Sequence, residues 1–294
     1  MKTNKQPKIV FWGTPEFAVL VLKEMDQCGI LPIAVVTAPD KAKGRKMLVT
    51  PTPVKVWAEE RGIPVYQPEK LKEFTIKEEH DLFIVAAYGK IIPKNVLDSA
   101  KLGTLNVHPS LLPKWRGPSP IQSAILAGDK ETGVSVILLD EEMDHGPVLK
   151  TKSVNLENLN FDYIKLEEKL AGKGGKLLCE LIQPWANGEI KPTPQDHTVA
   201  TFCKKIEKSD GLIESEIILS EGIDLEKSQE AERKVRALNP DPGTFTIFKT
   251  KDKNIRVKII KAKIIENRFV PEKVIPEGKK EMLWTDFLRG HEIK

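Results

Sequence analysis

Lys8-Ile9-Val10-Phe11-Trp12-Gly13-Thr14-Pro15-Glu16-Phe17-Ala18-Val19-Leu20-Val21-Leu22-Lys23-Glu24-Met25-Asp26-Gln27 decides the fold. A short apolar run ends in Gly-Thr-Pro, and Phe17, Leu20, Val21 and Met25 then recur at helical spacing, so the segment reads as strand, turn and helix. The pattern repeats along the chain. Residues 33–37 and 82–87 read as buried strands, 54–61 as a helix between them, and 105–107 as the next strand. Alternation of this kind predicts an α/β fold, a Rossmann-like open and mostly parallel sheet with helices on both faces. Such sheets bind ligands at the carboxyl ends of their strands, where Gly13, Tyr88, Asn106 and His108 fall.

Further along, 120–127 reads as a helix, and 134–139 and 148–154 as strands joined closely enough to be antiparallel. A long helical pattern over 161–187 is expected to break at Gly172-Lys173-Gly174-Gly175 and to stop near Pro184. Pro192-Thr193-Pro194-Gln195-Asp196 has the composition of a linker. Beyond it, 225–238 looks helical, while 244–248 and 255–265 alternate like strands, predicting a smaller β-rich module. The expected division is a catalytic domain over 1–189, a linker over 190–208 and a C-terminal domain over 209–294.

With 294 residues, 40% of them hydrophobic, the chain can build one large or two ordinary cores, and no stretch approaches membrane-spanning length. Cys28, Cys179 and Cys203 are far apart and form no C-x-x-C pair, which suits a reducing cytoplasm and argues against a disulfide framework or a structural zinc site. The net charge of +4 is uneven: from Arg233 to Lys294 there are 16 Lys and Arg against 8 Asp and Glu. A basic end of this kind suits either a polyanionic partner or a merely solvated face.

The densest chemistry lies in Asn106-Val107-His108-Pro109-Ser110-Leu111-Leu112-Pro113-Lys114-Trp115-Arg116-Gly117-Pro118-Ser119. Asn106 and His108 are two apart at the end of a strand, so period-two geometry points an amide and an imidazole the same way. The prolines that follow stiffen the loop into a pocket rim. Alone, Asn-x-His is equally a turn cap beside a half-buried imidazole. A carboxylate is needed to orient the imidazole, and Asp140, Glu141, Glu142 and Asp144 are the candidates nearby, Gly146 allowing a tight turn beside Asp144; His145 reads as a bystander or a second proton carrier. Zinc held by His108, Asp144 and His145 is formally possible, but the close His pairs such sites use are missing and no metal is expected. Gly13-Thr14-Pro15 lacks the G-x-G-x-x-G fingerprint, which speaks against a dinucleotide.

The rim, together with Phe11-Trp12-Gly13-Thr14-Pro15-Glu16-Phe17, Thr37-Ala38-Pro39-Asp40, Gly44-Arg45, Ala87-Tyr88-Gly89-Lys90-Ile91-Ile92-Pro93 and Asp140 through Gly146, resembles the folate-dependent formyltransferases, in the branch that acts on initiator methionyl-tRNA. The resemblance is dense from about Lys8 to Gly188; Arg236-Ala237-Leu238-Asn239-Pro240 and Gly278-Lys279-Lys280 extend it more thinly into the tail. It implies the formyltransferase fold followed by an OB-like C-terminal domain that helps bind tRNA, and 10-formyltetrahydrofolate as formyl donor. Between Ile265 and Gly278 too few residues remain for the hairpin usual in the family, so an open or reduced barrel is expected.

By the same resemblance, Asn106, His108 and Asp144 are catalytic, with Asn106 and His108 donating to the developing oxyanion. Tyr88, Gly89, Ile91, Ile92, Pro93, Ser110, Leu111, Leu112, Pro113 and Asp140 would hold the folate, the two loops forming a slot for its flat pterin. Lys41, Lys43, Arg45 and Lys46 would enter the acceptor end of the tRNA, Arg45 as the key arginine and the lysines as phosphate contacts. Trp115 and Arg116 offer a stacking surface near the site. The implied protein is a cytoplasmic monomer without a membrane role. Two other readings remain: a sugar-nucleotide amine formyltransferase sharing the folate half, and a non-catalytic tRNA-binding protein on the same fold. The glycinamide ribonucleotide enzyme fits less well, since it normally lacks a comparable C-terminal domain.

Overall fold

The computed structural model of the chain describes residues 6–43, 48–157, 161–220, 224–249 and 254–291. They form two compact units: Met1–Pro120, Glu131–Asn155 and Glu167–Cys203 make the first, and Ile121–Lys130, Leu156–Leu166 and Lys204–Lys294 the second.

In chain order, the elements up to the middle of the chain are β1 (Ile9–Gly13), α1 (Glu16–Gln27), β2 (Ala34–Val36), β3 (Lys41–Lys43), β4 (Leu48–Thr50), α2 (Pro53–Glu59), β5 (Val65–Tyr66), β6 (Leu82–Ala86), α3 (Lys94–Leu97), β7 (Thr104–His108), α4 (Pro120–Ala127), β8 (Glu131–Leu138), β9 (Val148–Asn155) and α5 (Tyr163–Ala186). The first unit is built on a seven-stranded sheet of order β5-β2-β1-β6-β7-β8-β9. β5, β2, β1, β6 and β7 are parallel, and β8 and β9 continue antiparallel, as the short connection between those two strands predicts. Every residue of β1, β6 and β7 is buried, which is why these strands read as continuous apolar runs. Gly13 closes the first strand-to-helix turn: a Cβ there would lie 2.6 Å from Ala18 Cβ and 2.8 Å from the Ala86 carbonyl oxygen.

Two expectations are overturned in this unit. The helical pattern does not break at Gly172-Lys173-Gly174-Gly175, because α5 runs unbroken through it. These glycines serve close packing: a Cβ on Gly174 would fall 2.5 Å from Val107 Cγ1, and one on Gly175 2.5 Å from Glu24 Cβ. A disulfide is present, against the expectation of none. Cys28, at the C-terminal end of α1, and Cys179, on α5, are joined across a separation of 151 residues with a Cα–Cα distance of 6.3 Å. Spacing along the chain held no trace of this pair, since the packing of α1 and α5 alone brings the sulfurs together.

The second unit takes in residues 121–127 of α4 and continues through α6 (Ser215–Leu219), α7 (Leu225–Leu238), β10 (Thr244–Lys249), β11 (Asn254–Ile265), β12 (Arg268–Pro276), β13 (Met282–Leu283) and α8 (Trp284–Arg289). Its four-stranded antiparallel sheet has the order β10-β11-β12-β13, and among the described residues no pairing closes it into a barrel. Phe248, Val257, Ile259, Phe269, Val274, Trp284 and Phe287 form its core. The expected lack of room after Ile265 is corrected here. Glu266 and Asn267, at φ 48° and 63°, make a two-residue turn of the hairpin type, so β11 and β12 pair directly.

Candidate active site

β7 ends at the carboxyl edge of the sheet, and its alternation puts Asn106 and His108 on one face with Val107 on the other. The loop after β8 brings Asp144 to that face. Asn106 Nδ2 donates to Asp144 Oδ1 at 3.3 Å, and His108 Nδ1 lies 3.4 Å from the same oxygen. The second carboxylate oxygen, Oδ2, accepts from the Gly117 backbone N–H at 2.8 Å. The three expected catalytic side chains, separated by up to 38 positions, therefore share one oxygen atom. Asn106 and His108 are buried, and the Asp144 side chain is 13% exposed, so an opening leads to the carboxylate.

The imidazole is held from both edges. His108 Nε2 is 2.9 Å from the Trp115 carbonyl oxygen, which can only accept, so Nε2 carries a hydrogen and Nδ1 faces Asp144. A neutral ring then turns a lone pair toward a carboxylate, and a proton between Nδ1 and Oδ1 converts that juxtaposition into a hydrogen bond. The pair is thus built to take up one proton. Trp115 and Asp144 both have left-handed backbones, φ 59° and 50°. Such residues persist at a cost of about 1–3 kcal/mol only where their surroundings over-determine them.

Asp144 is over-determined by Gln195. The Gln195 side-chain nitrogen donates to the backbone carbonyls of Asp144 at 2.8 Å and Gly146 at 2.7 Å. Its oxygen accepts from Arg116 Nε and Nη2 at 3.1 and 2.7 Å, and Arg116 Nη2 also donates to His197 Nδ1 at 2.8 Å. The 190–208 stretch, expected as a linker, does more than tether. Arg116 N–H donates to the Thr201 carbonyl at 2.9 Å, Cys203 N–H to the Arg116 carbonyl at 2.8 Å, and Trp115 N–H to Thr201 Oγ1 at 2.9 Å. Gln195 and this strap were missed in the sequence. Their only local signal is a glutamine after Pro192-Thr193-Pro194, which reads as loop.

The remaining expected residues are spread along the same unit. Tyr88 is in the core against Trp12, ring centroids 5.2 Å apart, and burial pushes its phenol pKa up to about 12. Its hydroxyl has no hydrogen-bond partner among the described residues. Gly89 turns the chain at φ 73°, Ile91 is 86% exposed, Ile92 is buried and Pro93 half-buried. Ser110 is fully buried, donating to the Lys114 carbonyl at 2.5 Å, and Leu111 packs over Gly133. Leu112 and Pro113 line a cavity of about 360 Å³ with Val148, Pro194 and Gln195; none of residues 88–93 is in its wall. Asp140 accepts from the Glu142 N–H at 3.0 Å and lies 2.7 Å from His145 Nδ1. His145 stacks on His197 at 4.0 Å, turned to Asp140 rather than sharing a centre with His108 and Asp144. Arg116, expected as a stacking surface, is instead buried.

The basic loop has a defined base. β3 and β4 pair antiparallel, placing Lys41 opposite Thr50 and Lys43 opposite Leu48; Gly44, Arg45 and Lys46 lie outside the described residues. Asp40 anchors the entry: Lys55 Nζ donates to its Oδ2 at 2.6 Å and Gln67 Nε2 to its Oδ1 at 2.7 Å. The lysine contact, then the glutamine, hold the Asp40 carboxyl below the usual carboxylate range. Thr37 Oγ1 meets Thr52 Oγ1 at 2.9 Å and Ala38 N–H donates to Thr14 Oγ1 at 3.2 Å, tying the entry to the first turn.

Among the described residues no group of three or more His, Cys, Asp and Glu could hold a metal, and no helix is long and apolar enough to cross a membrane. The formyl transferase family model matches residues 7–182, and the model for the formyl transferase C-terminal domain matches 221–272. A methionyl-tRNA formyltransferase of Myxococcus xanthus is 38% identical over 311 aligned positions, covering 98% of this chain and 96% of the relative. One from Thermotoga neapolitana is 41% identical, covering 83% of this chain and 77% of its own length. Among solved structures, a methionyl-tRNA formyltransferase from Clostridium thermocellum aligns with a TM-score of 0.55 at 18% identity over 92% of this chain and 98% of that one. A 4-N formyltransferase from Francisella tularensis aligns at 0.63 and 17% identity over 87% and 99%.

Proposed function

The chain belongs to the methionyl-tRNA formyltransferases, and we propose that Asn106, His108 and Asp144 carry out the transfer for which that family is named. The enzyme moves a formyl group from a folate-derived donor to the amino group of methionine esterified to initiator tRNA, supporting the start of translation. The donor in our reading is 10-formyltetrahydrofolate. The amine nitrogen attacks the formyl carbon, the carbonyl oxygen takes up negative charge, and the bond to the folate N10 breaks as the new amide forms. The proton lost by the amine passes to the departing nitrogen, so no metal and no covalent enzyme intermediate is needed.

The observation that carries this reading is the convergence of Asn106 Nδ2 and His108 Nδ1 on Asp144 Oδ1, at 3.3 and 3.4 Å. Both distances are long for hydrogen bonds, and catalytic contacts commonly tighten when the reacting groups arrive. Asn106 keeps a second amide N–H for the oxyanion, a donor whose loss costs about 10²–10³ in rate. Asp144 and His108 act as one unit that receives the amine proton and returns it. The loops 88–93 and 110–113 with Asp140 are assigned to the folate, and Lys41, Lys43, Arg45 and Lys46 to the acceptor arm. We assign 1–189 as the catalytic domain, 190–208 as the linker and 209–294 as the OB-like, tRNA-contacting domain of a cytoplasmic monomer. A sugar-nucleotide acceptor is supported only by the shared fold of structures below 25% identity.

The deciding experiment mixes the purified protein with 10-formyltetrahydrofolate and, separately, charged initiator tRNA, elongator methionyl-tRNA and an amino-sugar nucleotide. Formylation of the first alone is the expected result; formylation of the sugar instead overturns the acceptor.

A further inference from the structure

Resting on that reading of Asp144, we propose that Gln195 is a positioning residue for formyl transfer, and that its carboxamide, oriented by Arg116, sets the place of the Asp144 carboxylate. The amide is fixed at both ends by chemistry that permits one orientation. Arg116 offers only donors, at 3.1 and 2.7 Å, so the oxygen must face it. The Asp144 and Gly146 carbonyls only accept, at 2.8 and 2.7 Å, so the nitrogen must face them. A flipped amide would lose all four bonds.

Gln195 and Arg116 are 7% and 4% exposed, so water is a poor substitute for either. The two carbonyls bridged by one NH₂ group are that of Asp144, whose backbone is left-handed at φ 50°, and that of Gly146 two residues on. That backbone conformation aims Oδ1 at Asn106 and His108 and Oδ2 at the Gly117 N–H. Gly146 is equally constrained, since a Cβ there would overlap the Leu138 carbonyl oxygen. The carboxylate is therefore held by its own oxygens on one side and by Gln195 through the backbone on the other. Gln195 reaches no reacting atom in this arrangement; its effect passes through Asp144.

Gln195→Glu separates positioning from support. A carboxylate of the same length still accepts from Arg116, now as an ion pair, but has no hydrogen for the two carbonyls and sets negative charge against them. The KM for both substrates stays within about twofold of wild type and the thermal midpoint falls, the two carbonyls having lost their donor, while the folded variant's kcat falls about 100-fold, the size of loss expected from displacing a reacting group by about 1 Å. The pH profile of kcat also moves, because the Asp144–His108 pair that handles the proton has been shifted. Gln195→Met, uncharged and of similar length, also loses kcat. Wild-type kcat with an unmoved pH profile in either variant overturns the proposal, as does failure of both to fold, which would make Gln195 merely structural. Wild-type protein that formylates no methionyl-tRNA in the same assay would refute the functional reading instead.

Discussion

Gly174 on α5 lies so close to Val107 on β7 that a Cβ added to the glycine would come within 2.5 Å of Val107 Cγ1. Val107 stands between Asn106 and His108 on the opposite face of the strand, so the helix presses on the back of the site. Gly174→Ala gains about 1 kcal/mol of helix propensity but overpacks a buried strand, which costs about 1–3 kcal/mol and shifts the two polar side chains. Reduced stability and reduced kcat are expected together. Gly172→Ala is the control: its nearest neighbour would be the Glu24 side-chain oxygen at 3.4 Å, and the helix should gain up to about 1 kcal/mol. Thermal melts of both variants decide, and a Gly174→Ala protein as stable as the control would refute the contact argument.

Asp144→Asn tests the carboxylate without disturbing its turn. Asparagine tolerates left-handed φ and can still accept from the Gly117 N–H, while it can no longer take up a proton with His108. A fall of at least about 10²-fold in kcat is expected, with folding and tRNA binding near wild type. His108→Ala should lose as much. Normal turnover by either protein, read from initial rates with charged tRNA, overturns the assignment.

How much of this site could be seen in the sequence depends on the range of the contact that makes it. Asn106 and His108 are legible because period two dictates that they face together, and Asp144 because the Asp-x-Gly spacing matched a known pattern. Gln195 was not, since its partners Asp144 and Arg116 are 51 and 79 positions away and a glutamine among prolines has no periodicity to betray it. The same holds in the fold. Strands and helices of the parallel sheet follow from local apolar rhythm, whereas Gly172-Lys173-Gly174-Gly175 reads as a break until the strand beneath it is known.

The Cys28–Cys179 bond joins residues 151 positions apart. Restricting the unfolded chain over such a span stabilises by roughly 2–5 kcal/mol. Reductant should lower the thermal midpoint of the wild type and leave that of Cys28→Ser unchanged. Free-thiol titration under denaturing, non-reducing conditions should find only Cys203. An equal response of wild type and variant to reductant would show that the bridge is not holding α1 to α5.

The ion pair at the base of the basic hairpin makes its anchoring pH-dependent at both ends. Asp40 has a lowered pKa through its hydrogen bond from Lys55, so its contribution is present above the ordinary carboxylate value and lost as pH falls through the folded one. Lys55 has a raised pKa through Asp40, so its contribution is present below the ordinary lysine value and lost as pH rises through the folded one. Amide hydrogen exchange over 38–43 and 48–50, corrected for intrinsic rate, should show protection between the ordinary carboxylate value of about 4 and the ordinary lysine value of about 10.4, and progressive loss below and above them. In Asp40→Asn the acid-side loss should vanish into a uniformly lower protection. Matching acid transitions in the two proteins would rule out this pair as the anchor.

Beyond that anchor, the proposed tRNA contacts fall to the lysines and Arg45. A lysine contributes by neutralising a phosphate, so Lys41→Ala should weaken binding of any tRNA and reduce the slope of log affinity against log salt by about 1. Arginine presents a planar fork that fits two acceptors at once, worth about 1–3 kcal/mol when the pairing is bidentate. Arg45→Ala should therefore raise the KM for charged initiator tRNA about tenfold or more while leaving the KM for folate within about twofold. Initial rates over a range of tRNA and potassium chloride concentrations separate the two effects, and a tRNA dependence unchanged by Arg45→Ala would remove this hairpin from the tRNA-binding surface.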